Sequence, residues 1–500
     1  MTKSQLNLRI IPFSKGALQE EICRASLSLG QSEIPTQVNY LCSYLSHPEA
    51  KAQTIIIEHP YVDRHYLEEY TNYYATTLHP PNPKTTRFHY FSCELSEERL
   101  TQLIISASSG HYTDVCSSLT AQYLGFSVIR PLPDAPIGRT ILATFSAHDR
   151  RCYTLPPHPY KVHFCGLTFL INGVPFQQQE QAVGACATTA IWSALAQVMR
   201  HDGGRAPTPF AVTEAATRNW LSDRVFPAAS GLKKEQILEA IRQFNYSPLC
   251  FEIKENVALF ELSVKCYLRS GIPVILEIHY DNHLETHAVT IVGFRDDDSV
   301  IEFKAKESLS YSLNSSGLCR LYVHDDRLGP YARAEWLIEE DGFLKLKFVP
   351  QMPGFEKFEA KACIVAAMVP LYPKIRLSAQ DLVGFAGELQ PMFREIVGPE
   401  SREKLNIDLQ FCLAGECLET LCKSEIPADR YAQFAQRVVL SRYVGLITYY
   451  VEDQLLAYII CDSTDMHRSA PATAPLLAII PKYSEHIESL TKYQPDALIV

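Results

Sequence analysis

Apolar residues along this chain recur with two different periods, which predicts a mixed fold of helices and strands. Short apolar or alternating runs predict strands at 53–58, 271–278, 287–294, 321–325 and 362–370. Pro273 sits near the start of the second of these, and the polar stretch 280–285 is the expected hairpin connection to the third. Alternation then puts His287, Val289 and Ile291 on one face. Helical spacing predicts helices over 97–106, 378–396 and 427–438, and an amphipathic, tyrosine-rich one over 61–74. Residues 443–451 and 454–461 read as a strand pair joined at Glu452-Asp453.

A run of small and apolar residues, Ala187-Thr188-Thr189-Ala190-Ile191-Trp192, follows Gly184-Ala185-Cys186 and places Cys186 in the first turn of a helix. At that position the free backbone amides and the helix dipole favour a negative charge. An unperturbed thiol titrates near ~8.5, and only the thiolate is a good nucleophile, so such a position favours reactivity. His287 opens its strand and is a candidate base. Asp325 and Asp326 end the 321–325 strand in acid and are candidates to orient the imidazole; a strand running regularly that far points Asp326 to the opposite face from Asp325.

These segments resemble the papain-like cysteine peptidases, most closely the bacterial C39-like branch. The resemblance rests on the glutamines before Cys186, on His287-Ala-Val-Thr-Ile-Val-Gly293, and on an Asp ending the following strand. It covers about residues 165–345. It implies Cys186 as nucleophile, His287 as base and Asp325 as orienting acid, with Asp326 as the alternative acid. The family's oxyanion-hole glutamine falls where this chain has Glu180, so Gln179 or Gln181 is expected to serve, Gln179 preferred. The implied fold class is α+β: a papain-like domain at 165–348, with a helix packed on an antiparallel sheet. An α/β region at 1–164 and an α+β region at 349–500 flank it.

The expected activity is hydrolysis of peptide or isopeptide bonds through a thioacyl-enzyme intermediate, on protein or peptide substrates. The same triad would serve an acyltransferase or amidase, and a third reading is an inactive peptidase fold used for binding. No cofactor and no metal is expected. The series His279, His283, His287 would line up as zinc ligands on a helix, but Pro273 and Asp281-Asn282 predict strand, loop and strand there.

Composition narrows the picture further. Five hundred residues exceed a single core. A net charge of −10 gives no basis for general nucleic-acid binding. No apolar run approaches the ~20 residues of a membrane span, and the first residues lack a secretory pattern, so a cytoplasmic location is expected. Fifteen cysteines, an odd number without a CxxC pair, point to reduced thiols. Among them, Cys412, Cys417 and Cys422 are spaced around a helix instead of along one face. Arg130 and Arg139, among proline-rich turns, are either an anion-recognition pair or structural ion-pair partners. The run 462–465 reads as a turn or cap.

Overall fold

The structure is a computed structural model that describes residues 7–27, 34–145, 150–180, 182–219, 231–253, 256–280, 286–304, 311–339, 343–424, 426, 428–451, 454–464 and 476–479. Helix and strand occur in near-equal amounts, 35% and 36%, and the pairing is mostly antiparallel. Contacts group the described chain into two units. The first comprises Met1–Phe251, Pro273–Gly293 and Arg320–Pro370, and the second comprises Glu252–Ile272, Phe294–Cys319 and Leu371–Val500. The long strands Thr286–Lys304 and Ser312–Asp325 each give residues to both units.

The first unit opens with a five-stranded antiparallel meander, Asn7–Pro12, Thr54–Tyr61, Thr85–Phe91, Tyr123–Ile129 and Ile137–Leu142. The helix Glu97–Ser106 lies where its periodicity predicts. Ser96 caps it by accepting from the Arg99 amide at 3.1 Å, and Glu97 and Glu98 complement the dipole of its first turn. The tyrosine-rich helix is shorter than expected, Arg64–Asn72, because Asp63 caps it through the amides of His65 and Tyr66.

A second sheet in this unit has the order Ser312–Asp325, Gly329–Ile338, Leu344–Phe348, Ala360–Leu371, Val274–Tyr280, Thr286–Lys304, Arg151–Tyr153. Its strand after Pro273 starts at Val274, not at 271. Gly271, at φ +70°, instead closes the preceding helix, where the amides of Gly271 and Ile272 reach back to Leu268 and Tyr267. The helix Cys186–His201 packs on Val274–Tyr280, and every residue from Ala187 to Val198 is buried. A helix apolar all round belongs in a core. Its polar groups are met locally: Trp192 Nε1 donates to Pro207 O at 3.1 Å, and Thr290 Oγ1 donates to Ala190 O at 3.0 Å, which ties the His287 strand to the helix.

The two arginines of the proline-rich turns prove to be structural. Arg130, 1% exposed, donates to the carbonyls of Ala135, Ile137 and Gln178 and lies 3.5 Å from Glu69, while Arg139 pairs with Asp63 at 2.7 Å. Burial, only partly opposed by Arg130, pushes the Glu69 carboxyl up to about 7. Through Gln178, Arg130 fixes the segment that leads to Cys186.

In the second unit, strands Leu405–Leu413, Tyr443–Val451, Gln454–Asp462 and Leu476–Ile479 form consecutive antiparallel pairs. Helix Ala379–Val397 is nucleated by a reciprocal cap between Ser378 and Asp381, and helix Ala428–Arg437 follows within a residue of its expected span. Lys265 and Arg269 of helix Val257–Arg269 form ion pairs with Asp296 and Asp408. Asp462 accepts from the amide and hydroxyl of Thr464, a side-chain turn; Asp465 lies outside the described residues. Among the described residues, no helix is long and apolar enough to cross a membrane.

Candidate active site

Cys186 is the first residue of its helix, with Ala185 in extended conformation before it and no side chain capping the open amides. Thr189 Oγ1 donates to the Cys186 carbonyl at 2.8 Å and tightens the first turn. The thiol is half-buried on the wall of a cleft of about 1470 Å³ that is also lined by His287, Gln179, Tyr74, Lys233 and Arg327.

Glu180 builds the approach to the cysteine. Its carboxylate accepts from the amides of Ala182 (2.7 Å), Val183 and Gly184 and from the Tyr74 hydroxyl, and its own amide donates to Gly184 O at 2.9 Å. A carboxylate so engaged is a loop former. Thr213 Oγ1 braces the same loop by donating to Val183 O at 2.7 Å. Gln178 is spent on Asp134 O and the Ile137 amide, and Gln177 on Glu69. Gln179 is half-buried and lines the cleft; Gln181 lies outside the described residues.

His287 lies opposite Ile278 in the sheet and is 1% exposed. Its Nε2 lies 3.0 Å from Asp325 Oδ1, and Asp326 Oδ1 is 3.3 Å away. The other ring nitrogen, Nδ1, is buried without a partner in the protein's hydrogen-bond network, and the Cys186 thiol is close enough to the ring to act on its protonation. Nε2 being taken by the acids, Nδ1 is the nitrogen left for the sulfur. Burial disfavours charge on His287, but Asp326 and Asp325 overcome it and hold the imidazolium well above its ordinary range. For Asp325, burial is outweighed by His287 and by the donors on its oxygens, and the carboxyl sits below the usual range.

Asp325 is positioned from several directions. Tyr280 donates its hydroxyl to Oδ2 at 2.6 Å and the Arg327 amide donates to Oδ1 at 2.9 Å. The turn is closed by Leu328 N to Asp325 O at 3.0 Å, and Gln37 Nε2 holds Asp326 O at 2.9 Å from the helix Thr36–Ser46. Gly329 follows because no side chain fits: a Cβ there would lie 2.1 Å from the Tyr40 ring.

Two expectations are corrected here. Asp326 does not face away from Asp325, because the register shifts between Val323 and Asp325 and the chain turns at once, bringing both acids to one nitrogen. Tyr280, expected in the hairpin loop, instead ends its strand and supports Asp325; residues 281–285, including His283, lie outside the described residues. His287, Asp325 and Asp326 bring donor atoms within 4.8 Å of one another, but the donors already on Asp325 make this a hydrogen-bonded cluster. None of the fifteen cysteines, all of which lie among the described residues, is in a disulfide. Cys417 is buried and its thiol hydrogen-bonds Cys412, while Cys422 is exposed, so these three do not converge.

No protein-family model matches the chain, and no curated protein matches it.

Proposed function

We propose that the chain is a cysteine hydrolase of papain-like type, cleaving peptide or isopeptide bonds in protein or peptide substrates. The observation that supports this most is the imidazole of His287, pinned at Nε2 by Asp325 with Nδ1 left for the Cys186 thiol at the wall of a large cleft. In this reading the Cys186 sulfur attacks the substrate carbonyl carbon as His287 holds the thiol proton. The tetrahedral intermediate collapses by breaking the C–N bond, and His287 gives that proton to the departing amine. Water, deprotonated by His287, then releases the acid from the thioacyl-enzyme and regenerates the thiol. In this reading the developing oxyanion is met by the Cys186 backbone amide, which no side chain caps, and by the side-chain amide of Gln179, which lines the same cleft.

Labelling with a biotinylated iodoacetamide or epoxide probe near neutral pH tests the reading. Modification is expected to concentrate on Cys186 and to fall sharply in His287→Ala, read by mass spectrometry. Labelling spread over several cysteines and indifferent to His287 would sink it and favour a binding scaffold. Gln179→Ala is expected to lower kcat about 10²–10³-fold with a smaller effect on KM, since an oxyanion donor acts chiefly in the transition state. Unchanged kcat would remove Gln179 from the site.

A further inference from the structure

The second acid, Asp326, has an environment unlike that of Asp325. It is 3% exposed, yet neither carboxylate oxygen accepts a hydrogen bond from another residue. Its nearest charge partner is His287 Nε2, whose proton is directed to Asp325. A buried carboxylate without donors is costly and calls for a partner.

Asp326 also lines a small cavity among buried residues, together with Phe176, Gln177, Thr189, Ser193, Thr290 and His324, with about 10 Å³ of room for a water centre. That is the space of about one water molecule. His324 supplies the missing chemistry. Its Nδ1 lies 3.2 Å from Ser193 Oγ, whose own hydroxyl is given to Pro175 O at 2.8 Å, so Nδ1 is the donor and Nε2 a bare acceptor. His324 Nε2 is buried with no partner, and burial lowers this imidazole to about 3, keeping it neutral. The residues that line this space, about the size of one water, thus include one with an unsatisfied acceptor, His324, and one with a buried carboxyl group, Asp326.

We propose that Asp326 is a second positioning carboxylate for His287, and that one water molecule in this cavity joins its carboxyl group to His324 Nε2. As an acid, Asp326 donates to the water; as an anion it accepts, and the water donates to His324 in both states. Burial and Asp325 push Asp326 up to about 7, against the pull of His287 and Arg327, so it changes charge near neutrality. Above that pH its anion adds to Asp325 in favouring the imidazolium of His287, and below it that support is withdrawn. The groups around the pair are Asp325 and Arg327 in the turn, Tyr280 on the neighbouring strand, His324, and Cys186 on the helix. The role as positioning residue rests on the chemistry proposed for Cys186.

Histidine 13Cε1 NMR on the full chain tests the arrangement, with His287 assigned by its loss in His287→Gln. The wild-type His287 resonance is expected to show an inflection near pH 7 from Asp326. In Asp326→Asn that inflection disappears, and the midpoint of His287 itself falls by about one pH unit or more. Superimposable titrations in the two proteins would overturn the proposal. His324→Phe keeps a ring in place but removes the Nε2 acceptor, and is expected to move the inflection by about half a pH unit. An unmoved inflection there would remove the water link, and this arm serves even if Asp326→Asn does not fold. Neither readout needs a reactive thiol. Failure of Cys186 labelling with the Asp326-dependent inflection retained would therefore end the peptidase reading alone, and the converse would end this one alone.

Discussion

Cys186→Ala is expected to abolish turnover, with a loss of about 10⁶-fold in kcat on the scale seen when a catalytic nucleophile is removed. The size follows from what is lost: among the described residues that line the cleft Cys186 supplies the thiol, and alanine leaves no atom in its place that can attack. The fold should survive. The side chain is half-buried, alanine suits the first turn of a helix, and the loop before it is held by Glu180, Tyr74 and Thr213 instead of by the thiol. Release of amine from a peptide substrate, followed together with the thermal midpoint, checks both halves. Turnover retained at more than about a thousandth of wild type, with an unchanged midpoint, would end the assignment.

The elements that local chemistry specifies were legible in the sequence. The helix Glu97–Ser106 is delimited by Ser96 and its acidic first turn, and Ala379–Val397 by the Ser378 and Asp381 pair. Cys186 at a helix start and His287 in a strand could likewise be read from residue type and period. What the sequence concealed is long-range. Gln37 and Tyr40 hold the turn at Asp325 and Asp326 from almost three hundred residues away, and Tyr74 crosses about a hundred to reach Glu180. Arg130, readable as an anion binder, spends its donors on backbone carbonyls of the segment before the site. Regular alternation separates Asp325 from Asp326, whereas one register shift and a turn unite them, and a two-residue period carries no warning of a bulge.

Those two acids give the second large effect. Asp325→Asn is expected to lower kcat by about 10⁴-fold, the order seen when a triad acid loses its charge while keeping its shape. Three donors converge on the Asp325 carboxylate, from His287 Nε2, Tyr280 and the Arg327 amide. An amide offers them one acceptor oxygen and places an NH₂ against the rest. Either Tyr280 is displaced or the imidazole is held in the wrong tautomer, and in both cases the imidazolium loses its nearest anion. Because His287 is held charged well above its ordinary range, the alkaline decline of kcat/KM, set by loss of the imidazolium proton, should lie on the high-pH side in the wild type. In Asp325→Asn it should move to lower pH. Asp326→Asn should cost less in kcat, since its oxygens make no hydrogen bond that fixes the ring. Steady-state kinetics of the two variants across pH decide the matter: a larger loss in Asp326→Asn would transfer the orienting role by one residue, and equal small losses would mean that His287 is not held by either acid during turnover.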